Sequence, residues 1–156
     1  MMAGGSGACP ACPERSRGER SRRGVMAAYT EKHARAGVKA RLPKIETWEN
    51  QFPGYAITIA IPEYTAVCPR TGQPDFGTLT LRYEPRRRCL ELKSLKMYIL
   101  AYRDLGIFYE NAVNRILRDV VAACRPAWAE VRGEFTARGG MRATVEARYP
   151  RARRNK

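Results

Sequence analysis

Histidine is nearly missing from this chain: among 156 residues only His33 carries an imidazole, and it lies in a polar N-terminal stretch. A Ser-His-Asp or Cys-His catalytic arrangement in the core is therefore excluded unless that stretch folds back. A His-rich metal site is excluded as well. Long apolar runs are missing too. No window approaches the roughly 18 consecutive apolar residues of a membrane helix, and the N-terminus lacks the apolar stretch of a secretory signal. A soluble, cytoplasmic protein is expected. The Gly-x-Gly-x-x-Gly dinucleotide fingerprint is absent.

Carboxylates are scarce at the two ends. Residues 1–45 hold ten Lys/Arg against three Asp/Glu, and residues 147–156 hold five against none, whereas residues 46–146 hold fourteen against twelve. Most of the formal charge of +14 thus sits in the ends, and solvated tails explain it before a nucleic-acid surface does. The five cysteines are odd in number and scattered, so a disulfide framework is not expected. Cys9 and Cys12 have CxxC spacing, but no second pair follows to close a zinc site, and no metal is expected.

What is present has a clear order. Residues 1–25 are rich in Gly, Ser, Arg and Pro without apolar periodicity. They read as a disordered basic extension, and because Met26 follows directly, the functional chain is expected to begin there. Residues 26–45 form an N-terminal arm, 46–149 the folded domain, and 150–156 a basic tail. Residues 55–61 alternate as a strand that Pro62 ends, residues 63–77 read as a turn-rich loop, and residues 78–83 alternate again. An extended piece at 89–94 leads into a helix with Leu95, Tyr98, Ile99 and Tyr102 at helical spacing. Gly106 breaks it. A second helix spans 107–124 and stops at Pro126. Alternating stretches at 128–136 and 141–149 flank a Gly139-Gly140 turn. The order ββααββ predicts an α+β subunit with both helices on one face of an antiparallel sheet. Its uncovered edges predict a homo-oligomer.

Three places can carry chemistry. Cys68 leaves a strand before Pro69, with Asp75 seven residues on across turns at Gly72 and Pro74, so the loop can fold the two together. A small buried hydrophobe is the plain alternative for Cys68, and for Cys89 and Cys124 it is the accepted reading. Lys93 and Lys96 flank Ser94 where a helix begins, a place to hold phosphate or simply a solvated face. Glu110 opens the long helix, where an acid commonly just complements the dipole.

At these residues the sequence resembles the NADPH-dependent 7-cyano-7-deazaguanine reductase family, the nitrile reductases of queuosine biosynthesis. VCPRTGQPDFG (67–77) is similar to the family's nucleophile loop, ELKSLKMY (91–98) to its signature octapeptide, and GIFYENAVNRI (106–116) to its substrate-binding segment. RGGM (138–141) sits where the family has its final hairpin. The resemblance covers roughly residues 46–149. It implies the tunnelling fold, with ββααββ subunits in stacked rings and interfacial active sites. It also implies Cys68 as the nucleophile that forms a thioimide with the nitrile, and Asp75 as the proton donor. Leu90, Glu91, Leu92, Tyr109 and Glu110 would bind the substrate, Glu110 holding its guanine-like edge. Lys93, Ser94, Lys96 and Tyr98 would bind NADPH. Tyr109 departs from the pattern, since many members have His there; a phenol can contact a heterocycle but is a poor proton shuttle at neutral pH.

Three other readings compete, one of them a purely structural ring-forming protein in which Cys68→Ala would change nothing but stability. An amidinotransferase of the same fold, acting on a nitrile-bearing base in tRNA, would share the thioimide but lacks the octapeptide. A small basic RNA-binding module would explain the charge but not the Cys68–Asp75 loop.

Overall fold

The structure is a computed structural model, and it describes residues 29–150. The Cys9–Cys12 pair, Met26 and the basic tail beyond Pro150 lie outside the described residues. The elements are α1 (Glu31–Ala34), β1 (Thr47–Glu49), β2 (Ile57–Val67), β3 (Pro74–Glu84), β4 (Arg88–Leu90), α2 (Leu92–Leu100), α3 (Tyr109–Cys124), β5 (Trp128–Phe135) and β6 (Thr144–Tyr149). A four-stranded sheet has the order β2-β3-β5-β6 with every neighbouring pair antiparallel, and β1 and β4 form a separate two-stranded ribbon. Together with α2 and α3, the four sheet strands reproduce the expected ββααββ order.

Alternation decides the faces. Along β3, Leu79, Leu81 and Tyr83 turn inward while Thr78, Thr80 and Arg82 turn outward. The inner face meets Leu95, Tyr98 and Ile99 of α2 and Val113, Ile116 and Val120 of α3 in one apolar core. The outer face of β5 and β6 is charged. Arg132 pairs there with Glu134 and Glu146, and Arg148 with Glu130 and Glu146.

Four boundaries differ from the sequence reading. β2 does not end at Pro62 but runs on to Val67, and β3 already begins at Pro74. The expected loop of residues 63–77 therefore shrinks to a turn at 68–73. Proline is tolerated because β2 is an edge strand. The register also shifts between Ile61 and Tyr64, where three steps along β2 oppose two along β3. α2 starts at Leu92 rather than after Ser94, because Glu91 caps it. β6 starts at Thr144, and residues 138–141 form a small bridged turn instead.

The N-terminal arm folds back onto the domain. The buried guanidinium of Arg115 donates to the Gly37 and Ala40 carbonyls, and Asn111 Nδ2 donates to the Ala34 carbonyl at 2.7 Å. Gly37, at φ +71°, is needed here: a Cβ would lie 2.6 Å from the Gly106 carbonyl oxygen. His33 remains local, with Nδ1 3.0 Å from Thr30 Oγ1.

Candidate active site

The β2–β3 hairpin brings the thiol and the carboxylate to one end of the sheet. Ala66 lies opposite Asp75 and Val67 opposite Pro74, so Cys68 emerges just past the last paired residue. The turn closes through the Cys68 N–H to the Gln73 carbonyl at 2.8 Å and the Gly72 N–H to the Cys68 carbonyl at 2.9 Å. Gly72 takes φ +69°, which favours glycine. From the other side, Val67 donates to the Leu105 carbonyl and accepts from the Ile107 N–H, both at 3.0 Å. That short parallel contact docks the entrance of α3, with Tyr109 and Glu110, beside the thiol turn.

Cys68 is half-buried and unbridged. Burial alone raises its pKa, but hydrogen bonds from the Thr71 hydroxyl and from the Thr71 and Arg70 N–H groups outweigh that, and the net displacement is below the ordinary thiol value. The nearby Asp75 charge opposes them only weakly. Cys124 is the reverse: buried in the core, its thiol is pushed up to about 11.

Asp75 is buried at 4% exposure yet held from two sides. Tyr109 Oη donates to Asp75 Oδ1 at 2.9 Å, and Arg138 Nη1 reaches the same oxygen at 2.7 Å while its Nη2 donates to the Pro74 carbonyl. The Tyr109 ring lies flat on Phe135, with centroids 3.8 Å apart and planes at 14°. Phe135 can lie flat because glycines underlie it. A Cβ on Gly77 or Gly133 would come within 2.9 Å of its ring. The glycines thus seat Phe135, Phe135 seats Tyr109, and Tyr109 orients Asp75. Burial first, then the Asp75 carboxylate, pushes the Tyr109 phenol up to about 12. It is a hydrogen-bond donor here, not an acid.

Arg138 and Phe135 are the site residues that sequence reasoning passed over. Arg138 stands in the quoted RGGM, but nothing local signals that it crosses to Asp75. Tyr64, also near this cluster, has a buried hydroxyl without a partner among the described residues.

The octapeptide divides into structural and available members. Glu91 caps α2, its carboxylate accepting from the Lys93 and Ser94 N–H groups at 2.8 and 2.6 Å, and those bonds hold its pKa below the usual carboxylate value. Ser94 Oγ donates to the Glu91 carbonyl and accepts from the Glu46 N–H, both at 2.9 Å. Leu90 and Tyr98 are buried, and the Tyr98 hydroxyl donates to Asp119 at 2.8 Å. In this chain Tyr98 packs in the core of the subunit. Lys93, Lys96 and Leu92 are exposed on α2. Glu110 is exposed in the first turn of α3, its carboxylate without a partner among the described residues.

With this geometry in place, the likenesses to known proteins fall into a pattern. The profile of the QueF-like protein family matches residues 74–154. The NADPH-dependent 7-cyano-7-deazaguanine reductase of Elusimicrobium minutum is 58% identical over 122 residues, covering 78% of this chain and 92% of that protein. The proteins of the same name from Chloroherpeton thalassium and Chlorobaculum tepidum are 54% and 51% identical, covering 67% and 70% of this chain and 92% and 95% of theirs. The crystal structure of the archaeosine synthase QueF-Like in its apo form superposes with a TM-score of 0.56 at 24% identity, covering 60% of this chain and 91% of that one. It supports the fold alone. No helix among the described residues is long and apolar enough to cross a membrane. By profile and by identity alike, the chain belongs to the QueF-like protein family.

Proposed function

We propose that this chain is an NADPH-dependent nitrile reductase that converts 7-cyano-7-deazaguanine to 7-aminomethyl-7-deazaguanine in queuosine biosynthesis. The observation that carries this reading is the pairing of Ala66 with Asp75, which sets a thiol of lowered pKa beside a buried, oriented carboxylate. It is supported by the names of relatives that this chain matches over nearly their whole length.

Cys68 would add its sulfur to the nitrile carbon. A thiolate is a strong, soft nucleophile, and the thioimide that results has a C=N carbon more electrophilic than the nitrile. Asp75 would take the thiol proton as the thiolate forms and deliver it to the nitrile nitrogen as the C–S bond closes, so that no net proton is lost. Tyr109 and Arg138 fix Oδ1 of that carboxylate during the transfer. Glu110, exposed and uncommitted, would accept from the ring N–H and exocyclic amine of the guanine-like edge.

For the cofactor, the residues fit in part. Lys93 and Lys96 sit one turn apart on α2 with no ion-pair partner among the described residues, and would hold phosphates. Ser94 is committed to Glu46 and Glu91, and Tyr98 to the core. NADPH, when bound, supplies the hydrides that a nitrile needs to become a primary amine. The open edges of β2 and β6 favour a homo-oligomer with sites shared between subunits.

Intact-mass analysis with substrate and no cofactor tests the reading. Wild type gains the mass of one substrate molecule, and Cys68→Ala gains none. Nicotinamide absorbance then falls when NADPH is added. An adduct that forms while absorbance stays flat would defeat the reductase reading and favour an amidinotransferase of the same fold, in which ammonia displaces the thiol from the thioimide to give an amidine.

A further inference from the structure

At the other end of the sheet, away from Cys68, the β3–β4 turn faces the C-terminal end of α3 across an open cleft of about 910 Å³. Lys44, Arg86, Arg87, Arg88 and Arg125 line it, with Glu46 the one acid among its lining residues. Lys44, Arg86, Arg87 and Arg125 form no ion pair among the described residues, and Arg88 donates only to Thr47 Oγ1 at 3.4 Å. On the sheet's outer face, by contrast, Arg132 and Arg148 each pair with two carboxylates.

Two features hold this charge in place. Asn50 pins the turn, its Nδ2 donating to the Arg86 carbonyl at 3.1 Å and its N–H to the Arg87 carbonyl at 3.0 Å. On the facing wall Arg125 occupies the left-handed cap of α3 at φ 47°, a position that glycine fills at least cost. At this cap the chain carries a guanidinium instead of glycine, and that side chain lines the cleft.

The geometry points to this cleft as a binding site for the phosphate backbone of a single nucleic-acid strand. A lone phosphate suits it poorly. The cations come from three separate segments, and the end of α3 offers carbonyls rather than N–H groups, so no donor cradle converges on one point. Successive phosphates along a strand match charges spread over both walls, and such contacts are indifferent to sequence.

The test is fluorescence anisotropy of a labelled 20-nucleotide oligouridylate with the full chain across a salt series. Wild type binds with a steep salt slope. Arg125→Gly and the double variant Arg86→Gln/Arg87→Gln each weaken binding severalfold and lessen the log–log slope by about 0.7 per cation removed. Arg125→Gly melts no lower than wild type, because glycine relieves the cap, so its loss of binding is not a loss of fold. The KM for NADPH stays unchanged in both variants. Binding equal to wild type in both would assign the affinity to the basic chain ends and overturn the proposal. A raised KM for NADPH with unaltered oligouridylate binding would overturn it in favour of a cofactor-phosphate site.

Discussion

The two ends of the sheet treat the same atom differently. At the β2–β3 end, Cys68 leaves the last strand pair into a turn whose N–H groups and Thr71 hydroxyl face the sulfur, and its pKa falls. At the other end, Cys124 points from α3 into packed side chains, and burial drives its thiol up to about 11. Sulfur chemistry here is decided by whether the chain emerges into a ring of donors or sinks into aliphatics. Arginines divide similarly: Arg138 is spent on one buried carboxylate, whereas those of the β3–β4 turn form no ion pair among the described residues.

The contrast breaks most sharply by removing each sulfur. Cys68→Ala abolishes the substrate adduct in mass spectrometry, whereas Cys124→Ala retains it and loses about 1–2 kcal/mol of stability in denaturant titration. Equal effects would erase the distinction between the two ends. Next, Tyr109→Phe removes the donor that orients Asp75 but keeps the stack on Phe135. Steady-state kinetics should show kcat lowered by about tenfold, as for a lost hydrogen bond to a charged group, with the melting temperature almost unchanged. Gly77→Ala acts through the bed beneath that stack. A Cβ there meets the Glu134 carbonyl oxygen at 2.7 Å, and a loss of about 1–3 kcal/mol is expected in thermal or chemical unfolding.

Smaller still is the effect of Thr71→Val on the thiol. Its hydroxyl stabilises the thiolate, so its loss raises the Cys68 pKa, and the midpoint of the alkylation rate against pH moves upward. A midpoint that stays or falls would contradict the cause assigned to the shift. The least change belongs to Tyr64→Phe, which removes a buried hydroxyl lacking a partner among the described residues. It should leave kcat intact and raise stability by about 1 kcal/mol.

Much of this was legible in the order of residues. The apolar alternation of 78–83 and 128–135 and the 3.6-residue repeat from Val113 to Val120 name their own faces, and Cys68 and Asp75 lie close enough in sequence for one hairpin to join them. The misreadings have local causes. Pro62 signals an end, yet an edge strand needs no donor on its open side. Leu90, Glu91 and Leu92 alternate like a strand, which masks Glu91 as a helix cap. Tyr98 was legible as a core residue, because its spacing with Leu95 and Tyr102 already placed it inward. Arg138 and Phe135 reach the site across more than fifty residues of chain, and no nearby pattern announces such a crossing.

The single extra residue of β2 near Pro62 and Glu63 acts as a phase switch. Ile57, Ile59 and Ile61 fall on odd positions, whereas Tyr64 and Ala66 fall on even ones, and all share the inner side. Were one residue deleted there while the upstream register held, everything as far as the turn would rotate by half a pleat. The sulfur would then be presented to the outer side, with its carboxylate behind the sheet.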